Sequence, residues 1–122
     1  MQTVRSFWPY YLAQHRLAVC RAWHYAGTLM ATTLLFALIS SALWSWLWLV
    51  LVAGYAPAWI GHYVFEKNRP ATFSNPFLSL ACDYLMCWYW LSGQIDEQLQ
   101  QHAHVLFEHH NNAQARESKP LR

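Results

Sequence analysis

Residues 22–65 read AWHYAGTLMATTLLFALISSALWSWLWLVLVAGYAPAWIGHYVF and contain no Lys, Arg, Asp or Glu. A helix that crosses a membrane needs roughly 20 apolar residues, so this run is long enough for two such helices. Ser40 and Ser41 interrupt the run near its middle, where a hairpin would reverse. The stretch therefore predicts an integral membrane helical hairpin, with spans over about 23–39 and 42–63.

The composition of the whole chain agrees with a membrane protein. Charged residues make up 11% of the sequence, against about a quarter in a typical soluble domain. The formal net charge of +2 is too small to suggest binding to nucleic acid. The three cysteines, Cys20, Cys82 and Cys87, have neither zinc-site spacing nor the pattern of a disulfide framework. We expect them to be reduced and buried.

The rest of the chain completes a predicted all-α fold. Residues 4–21 are typical of an amphipathic helix at the membrane interface, with aromatic residues on one side and polar residues on the other. Residues 73–91 form a third apolar stretch, expected to pack on the hairpin or to enter the membrane and return. We predict a membrane-embedded metal-binding domain over residues 1–94. Residues 95–122 are then a polar C-terminal helix and a tail that is disordered from Asn111.

Basic residues predict the orientation of the hairpin. All the basic residues near the spans flank the open end of the hairpin, and the turn contains none. They are Arg5, Arg16, Arg21, Lys67 and Arg69. By the positive-inside rule, both termini face the cytoplasm. The membrane is then a bacterial inner membrane or the endoplasmic reticulum.

Two histidines mark the open end of the hairpin. His24 and His62 are equally far from residue 43, so an antiparallel hairpin returns them to one membrane face. Glu66 follows His62 by four residues, which places both side chains on one side of a helix. Non-haem Fe(II) oxygenases bind their metal through two histidines and one carboxylate and leave the other coordination positions open. The sequence predicts a metal site there, on the cytoplasmic side.

Two further residues remain open at this stage. His15 precedes His24 by nine residues, which in a straight helix puts the two side chains on nearly opposite faces. His15 is then a ligand across a kink, part of a second metal site, or a solvated interfacial histidine. Asp83 lies in an apolar stretch, so it must be neutral, paired or ligating.

At these residues the sequence resembles a known family. The matching pieces are Tyr11-x3-His15-Arg16, Arg21-x2-His24-x2-Gly27, and the longer block GHYVFEKNRPA over 61–71. The family is that of the fungal endoplasmic-reticulum protein for metabolism of phytosphingosine to odd-numbered fatty acids, with its short bacterial relatives. The resemblance covers roughly residues 7–93. The chain departs from the family at Leu17 and Ala18, where the family commonly has Asn-Pro, and at Cys20, where the family commonly has Asn.

The resemblance implies that the histidines bind Fe(II) and that the reaction is an α-oxidation. A 2-hydroxy fatty acid reacts with O₂ and loses its carboxyl carbon, which leaves an acid one carbon shorter. The predicted function is thus a membrane-embedded Fe(II)-dependent dioxygenase of fatty acid metabolism. Its predicted metal ligands are His24, His62 and Glu66, with His15 as a fourth ligand or neighbour.

The predicted partners follow from this function. Membrane lipid surrounds the hairpin, a long-chain 2-hydroxy fatty acid and O₂ are the substrates, and association into a homo-oligomer stays open. Arg69 or Lys67 would neutralise the substrate carboxylate, since charge-assisted contacts suit such residues.

Two other functions compete with the dioxygenase. In the first, His24 and His62 are axial ligands of a b-type haem in an electron-transfer protein. In the second, the chain is a small structural membrane protein without a cofactor, and its histidines only satisfy backbone groups.

Overall fold

A computed structural model describes residues 2–73 and 75–104, and also residues 108, 111, 112 and 115. Over these residues the regular elements are all helical and no β-strand is present, which confirms the predicted all-α fold. The elements are α1 (Val4–Ala13), α2 (Ala18–Ser40), a 3₁₀ turn (Trp44–Trp46), α3 (Trp48–Ile60), a π-helical segment (Gly61–Glu66), a second 3₁₀ turn (Ala71–Phe73), α4 (Pro76–Leu91) and α5 (Ile95–Gln101).

The predicted helical hairpin is present. Helix α2 ends at Ser40, the chain reverses with Ala42 at a φ of 54°, and α3 returns packed along α2. The two stretches Ala18–Ser40 and Trp44–Glu66 are long and apolar enough to cross a membrane, by length and composition alone. Both helices direct large apolar side chains outward, as helices that face lipid do.

Glycine lets the two arms of the hairpin approach closely. A Cβ added at Gly27 would lie 2.8 Å from the carbonyl oxygen of Gly54, which is too short for a real contact. The backbones of α2 and α3 therefore nearly touch at this level. Small residues at such a crossing are typical of helix pairs in membranes, where close packing replaces the hydrophobic effect as the attractive force.

The prediction of one N-terminal helix over residues 4–21 is corrected by the structure. Helix α1 ends at Ala13, and α2 begins at Ala18 after a bend in which Leu17 is extended, with φ −80° and ψ 132°. The bend contains neither proline nor glycine. It is held by side chains that are distant in the sequence.

Helices α1 and α4 form the main core of the protein. The apolar side of α1 packs against α4 and the start of α5, so α1 is more deeply buried than an interfacial helix would be. The buried members of this cluster are Phe7, Trp8, Tyr11, Leu12, Tyr25, Cys82, Met86, Cys87 and Ile95. All three cysteines are free and buried, as expected. Helix α4 falls within the predicted third apolar stretch, and its course relative to a membrane stays a prediction.

Helix α5 begins the polar C-terminal segment. It is tied to α1 by the indole Nε1 of Trp8, which donates to Oε1 of Gln98 at 3.0 Å. Residues 103, 104, 108, 111, 112 and 115 have helical backbone, and the other residues of the predicted disordered tail lie outside those described. The division of the chain at residue 94 stays a prediction.

Candidate metal centre

Three buried histidines from three different segments converge on one point. His15 lies in the bend after α1, His24 on α2 and His62 in the π-helical segment. The Nε2 atom of His24 is 3.0 Å from Nε2 of His15 and 2.9 Å from Nε2 of His62. The chain bends between His15 and His24, so the nine-residue spacing does not separate them. A π-helical turn at such a place is common at functional sites.

The other ring nitrogen of each histidine, Nδ1, faces an oxygen atom. These oxygens are the carbonyl of Tyr11 for His15 (2.6 Å), Oδ1 of Asn68 for His62 (2.7 Å) and Oδ1 of Asp83 for His24 (3.4 Å). The Nδ1 atoms of His15 and His62 therefore donate to these acceptors, and their Nε2 atoms present lone pairs, whereas Nδ1 of His24 lies at ion-pair distance from Asp83. Burial lowers the pKa of His15 well below its usual 6.5, which keeps this ring neutral at neutral pH.

Three ring nitrogens this close to one another, two of them with lone pairs, can share one cation. At a metal–nitrogen distance of about 2.1 Å, two ligands at a right angle are about 3.0 Å apart, and two tetrahedral ligands about 3.4 Å apart. The observed 3.0 and 2.9 Å each match a pair of ligands at right angles. Acceptors on the Nδ1 atoms are also the usual outer partners of metal-bound histidines. The residues present therefore fit a divalent metal ion.

Cys20 joins the three histidines in this group. The donor atoms of Cys20, His15, His24 and His62 all lie within 4.8 Å of one another, and all four residues are buried. Sequence reasoning missed Cys20 as a candidate ligand. The available signal was its spacing, because Cys20 precedes His24 by four residues and so shares its side of α2. A buried His₃Cys group of this kind could hold a metal ion, and its donors alone do not select iron.

Glu66 lies outside this group of donors. Its carboxylate accepts hydrogen bonds from the backbone N–H of Arg16 at 2.6 Å and of Leu17 at 3.1 Å. These N–H groups stand at the N-terminus of α2, where Leu17 is the capping residue and a negative charge is favourable. The structure thus places the predicted ligand Glu66 on the backbone of the bend, next to the residue that follows His15.

Two more side chains hold the same bend. The guanidinium Nη1 of Arg21 donates to the carbonyl oxygens of His15 (2.9 Å) and Arg16 (2.7 Å). Asn68 Nδ2 donates to the carbonyl of Gln14 at 2.9 Å, which leaves its Oδ1 free to face His62. Arg21 is buried, so it does not lie on the polar, solvent-facing side predicted for a helix over residues 4–21. These contacts, with Glu66, present His15 to the other two rings.

Asp83 is paired, which is one of the three states predicted for it. It faces Nδ1 of His24 and accepts a hydrogen bond from the hydroxyl of Tyr11. Burial raises the pKa of Tyr11 well above 10, so its hydroxyl stays protonated and can donate. The ring of Tyr11 also stacks on His15, with centroids 4.0 Å apart. Tyr11 and Asp83 therefore orient two of the three histidines.

Lys67 and Arg69, predicted to bind a carboxylate, are both exposed. Lys67 has a left-handed backbone, with φ 57°, directly after the π-helical segment. The guanidinium of Arg69 lies over the ring of Phe73, 4.9 Å from its centroid. Neither residue lines the cavity at the histidines, although Pro70, which follows Arg69, does.

A cavity of about 230 Å³ opens at the histidines and runs between α2, α3 and α4. His24, His62 and Asp83 line one end of it. Leu35, from α2, and Leu51, from α3, line the other. Most of its wall is apolar, which suits a hydrocarbon ligand whose polar end reaches the histidines.

The fold and the site together define a helical protein with two membrane-length helices and a buried histidine-rich group able to hold a metal ion. The chain belongs to the Mpo1-like family, described as 2-hydroxy-palmitic acid dioxygenase Mpo1-like, whose sequence model matches residues 1–95. This confirms the family suggested by the sequence motifs. No curated protein and no solved structure matches the chain significantly.

Proposed function

We propose that this protein is a membrane-embedded, Fe(II)-dependent dioxygenase that shortens 2-hydroxy fatty acids by one carbon. One observation carries the proposal. Three buried imidazoles bring their Nε2 atoms together, with His24 3.0 Å from His15 and 2.9 Å from His62, at one end of an apolar cavity. The family description, which names a 2-hydroxy acid and a dioxygenase, agrees with this combination of a metal site and a hydrocarbon site.

The overall reaction needs no other oxidant or reductant. Conversion of a 2-hydroxy acid to the acid one carbon shorter, carbon dioxide and water takes four electrons from the substrate. One molecule of O₂ accepts four electrons when both of its atoms end in carboxylate, carbon dioxide or water. A site that holds a redox-active metal and the acid side by side is therefore sufficient.

The residues of the chain have separate tasks in this proposal. His15, His24 and His62 would hold the ion, and a bound ferrous ion would supply the one-electron chemistry that activates O₂. The apolar wall of the cavity binds the acyl chain and excludes water from the reacting end. Asp83 and Asn68 keep the protons on the Nδ1 atoms, so the Nε2 atoms stay available.

The remaining predicted residues are placed around this centre. Glu66 is proposed to hold the bend of His15 rather than to bind the metal. Lys67 and Arg69 are proposed to attract the substrate carboxylate from the exposed rim, because they are the cations nearest in sequence to His62. The hairpin is proposed to cross the membrane with both termini and the metal site on the cytoplasmic side, so that substrate arrives from the lipid.

The haem alternative fits the geometry less well. Axial imidazoles on one iron lie about 4 Å apart, since each metal–nitrogen bond is about 2 Å. The Nε2 atoms of His24 and His62 are 2.9 Å apart, and a third histidine meets them. The structural alternative also fits poorly, because only the Nδ1 of His15 faces a backbone group, whereas the Nε2 atoms face one another.

The proposal is tested with detergent-purified protein reconstituted with Fe(II) under anaerobic conditions. On addition of O₂ and 2-hydroxyhexadecanoic acid, we expect the acid one carbon shorter to appear, as measured by mass spectrometry. His62→Ala should lose both bound iron and product. Full turnover in His62→Ala would refute the proposal, as would iron-loaded wild type that forms no shortened acid from any 2-hydroxy acid.

A further inference from the structure

The cavity continues well past the histidines, along the hairpin. Its α2 wall runs from His24 to Leu35, and its α3 wall from His62 past Leu51 to Val50. Measured to Leu35 and to Leu51, each wall covers eleven residue steps, which at 1.5 Å per residue is about 16.5 Å of helix. The cavity is thus long along the helix axes, which suits one extended chain.

The chemistry of the wall changes with depth. Polar groups, among them Asp83 and Ser79, are at the level of the histidines, and apolar residues such as Leu35 line the far end. Between them, the hydroxyl of Tyr84 contacts Oγ1 of Thr32 at 2.6 Å, and Thr32 in turn donates to the carbonyl of Thr28 at 2.7 Å. These hydroxyls satisfy each other, so a saturated chain can pass them.

The length of the cavity converts into a number of carbons. An extended chain advances about 1.25 Å per bond, given a C–C bond of about 1.5 Å and an angle of about 111°. The wall of about 16.5 Å therefore holds about 13 bonds. With the first two carbons at the histidines, the cavity takes a chain of about 15 carbons.

We propose that this cavity selects the length of the acyl chain, and that Gly54 is the residue that keeps its middle open. The inference rests on the proposed function, and deepens it by naming what determines the chain length of the substrate. Gly54 lines the cavity eight residues before His62, at a depth of about 12 Å. A Cβ at Gly54 would lie 3.4 Å from the Cβ of Ala31, an ordinary contact, so the Cβ of a larger residue fits there.

The variant Gly54→Leu tests this directly, because Leu favours a helix more than Gly does. Its matched control is Ala56→Leu, two residues away on the same helix, exposed and outside the cavity lining. Turnover is measured for saturated 2-hydroxy acids from about 8 to 20 carbons. Binding of the same acids to the iron-free protein is measured by competition with a fluorescent dansyl fatty acid.

Wild type and Ala56→Leu should both prefer chains of about 14 to 16 carbons. In Gly54→Leu the preferred chain should shorten by about three to four carbons, because the added side chain closes the cavity about three residues early. For a 16-carbon acid we expect kcat/KM to fall at least roughly tenfold, as overfilling a packed site does. Identical profiles for Gly54→Leu and Ala56→Leu would overturn the inference.

A second variant and the binding assay separate the two proposals. If Gly54→Leu fails to fold, Leu35→Ala should instead lengthen the longest accepted chain by two to three carbons, and an unchanged limit would overturn the inference. A shifted binding profile without turnover of any acid would refute the dioxygenase and leave the cavity assignment intact. Turnover whose chain-length profile is unchanged in both variants would overturn the cavity assignment and leave the dioxygenase intact.

Discussion

The Nε2 atom of His24 lies 2.9 Å from the Nε2 atom of His62, although 38 residues separate them in the chain. The hairpin brings these two residues together because they are equally far from its turn. The third ring, His15, reaches them only because the chain bends after α1. The candidate site thus depends on a register set by the membrane-length helices and on a bend set by distant side chains.

Loss of any one of the three imidazoles should release the metal. For His15→Gln, we expect the affinity for Fe(II) or Co(II) to fall by more than the roughly 10- to 100-fold that loss of an outer partner costs. His104→Gln, in the exposed C-terminal segment, is the control and should bind metal like wild type. Anaerobic metal titration of the purified proteins measures this. Wild-type affinity in His15→Gln would show that His15 is not a ligand.

Glu66 should matter through the bend. In Glu66→Ala, the N–H groups of the exposed residues Arg16 and Leu17 lose their charged acceptor, which costs at most about 1.5 to 3 kcal/mol, as for a hydrogen bond to a charged group. In Glu66→Gln, an oxygen acceptor remains, so we expect near wild-type metal affinity, with a marked loss only in the Ala variant. Glu97→Ala, on α5, is the control.

The pair of Glu66 variants also distinguishes a positioning role from ligation. A metal-ligating carboxylate would be impaired by Gln as well as by Ala, because the amide is neutral. Equal and severe loss of metal in both variants would therefore restore Glu66 as a ligand and contradict its assignment to the bend.

We expect Cys20 to bind the metal through its sulfur atom. Substitution of Co(II) for iron gives an absorption band in the near ultraviolet when a thiolate binds the metal. We expect this band in wild type and its loss in Cys20→Ser, with Co(II) still bound by the three histidines. Cys82→Ser, from the α1–α4 core, is the control. A wild-type spectrum without a thiolate band would remove Cys20 from the ligand set.

Acid should destabilise the metal-free protein through His15. Burial lowers its pKa in the folded state, so the unfolded chain binds a proton more readily once the pH falls below about 6.5. The free energy of unfolding should thus decrease from pH 7.5 to pH 5.5. The decrease should be smaller in His15→Gln, which has no imidazole at this position to take up a proton. Denaturant titrations at both pH values measure this, and an equal decrease in both proteins would contradict it.

Much of the fold was predictable from the sequence because it depends on the composition of one continuous stretch. The uncharged run from Ala22 to Phe65 predicts two helices and a turn at Ser40, and the structure has both. The equal distances of His24 and His62 from that turn follow from the same run. No long-range information was needed for either.

The bend after α1 could not be predicted in this way. The hydrogen bond from the Arg16 N–H to Glu66 spans 50 residues, and that from Asn68 to the Gln14 carbonyl spans 54. Nothing between Gln14 and Leu17 breaks a helix by itself. For the same reason, the four-residue spacing of Glu66 from His62 predicts a metal ligand, whereas its carboxylate accepts hydrogen bonds from the backbone of the bend.

The most direct test of the central claim is X-ray absorption at the iron edge of anaerobically reconstituted protein. We predict three imidazole nitrogens per iron at about 2.1 Å, a distance typical of imidazole ligands. In His15→Gln, loaded with excess iron because its affinity is reduced, we predict two. A spectrum with one imidazole or none, or with the same number in wild type and His15→Gln, would contradict a centre built from His15, His24 and His62.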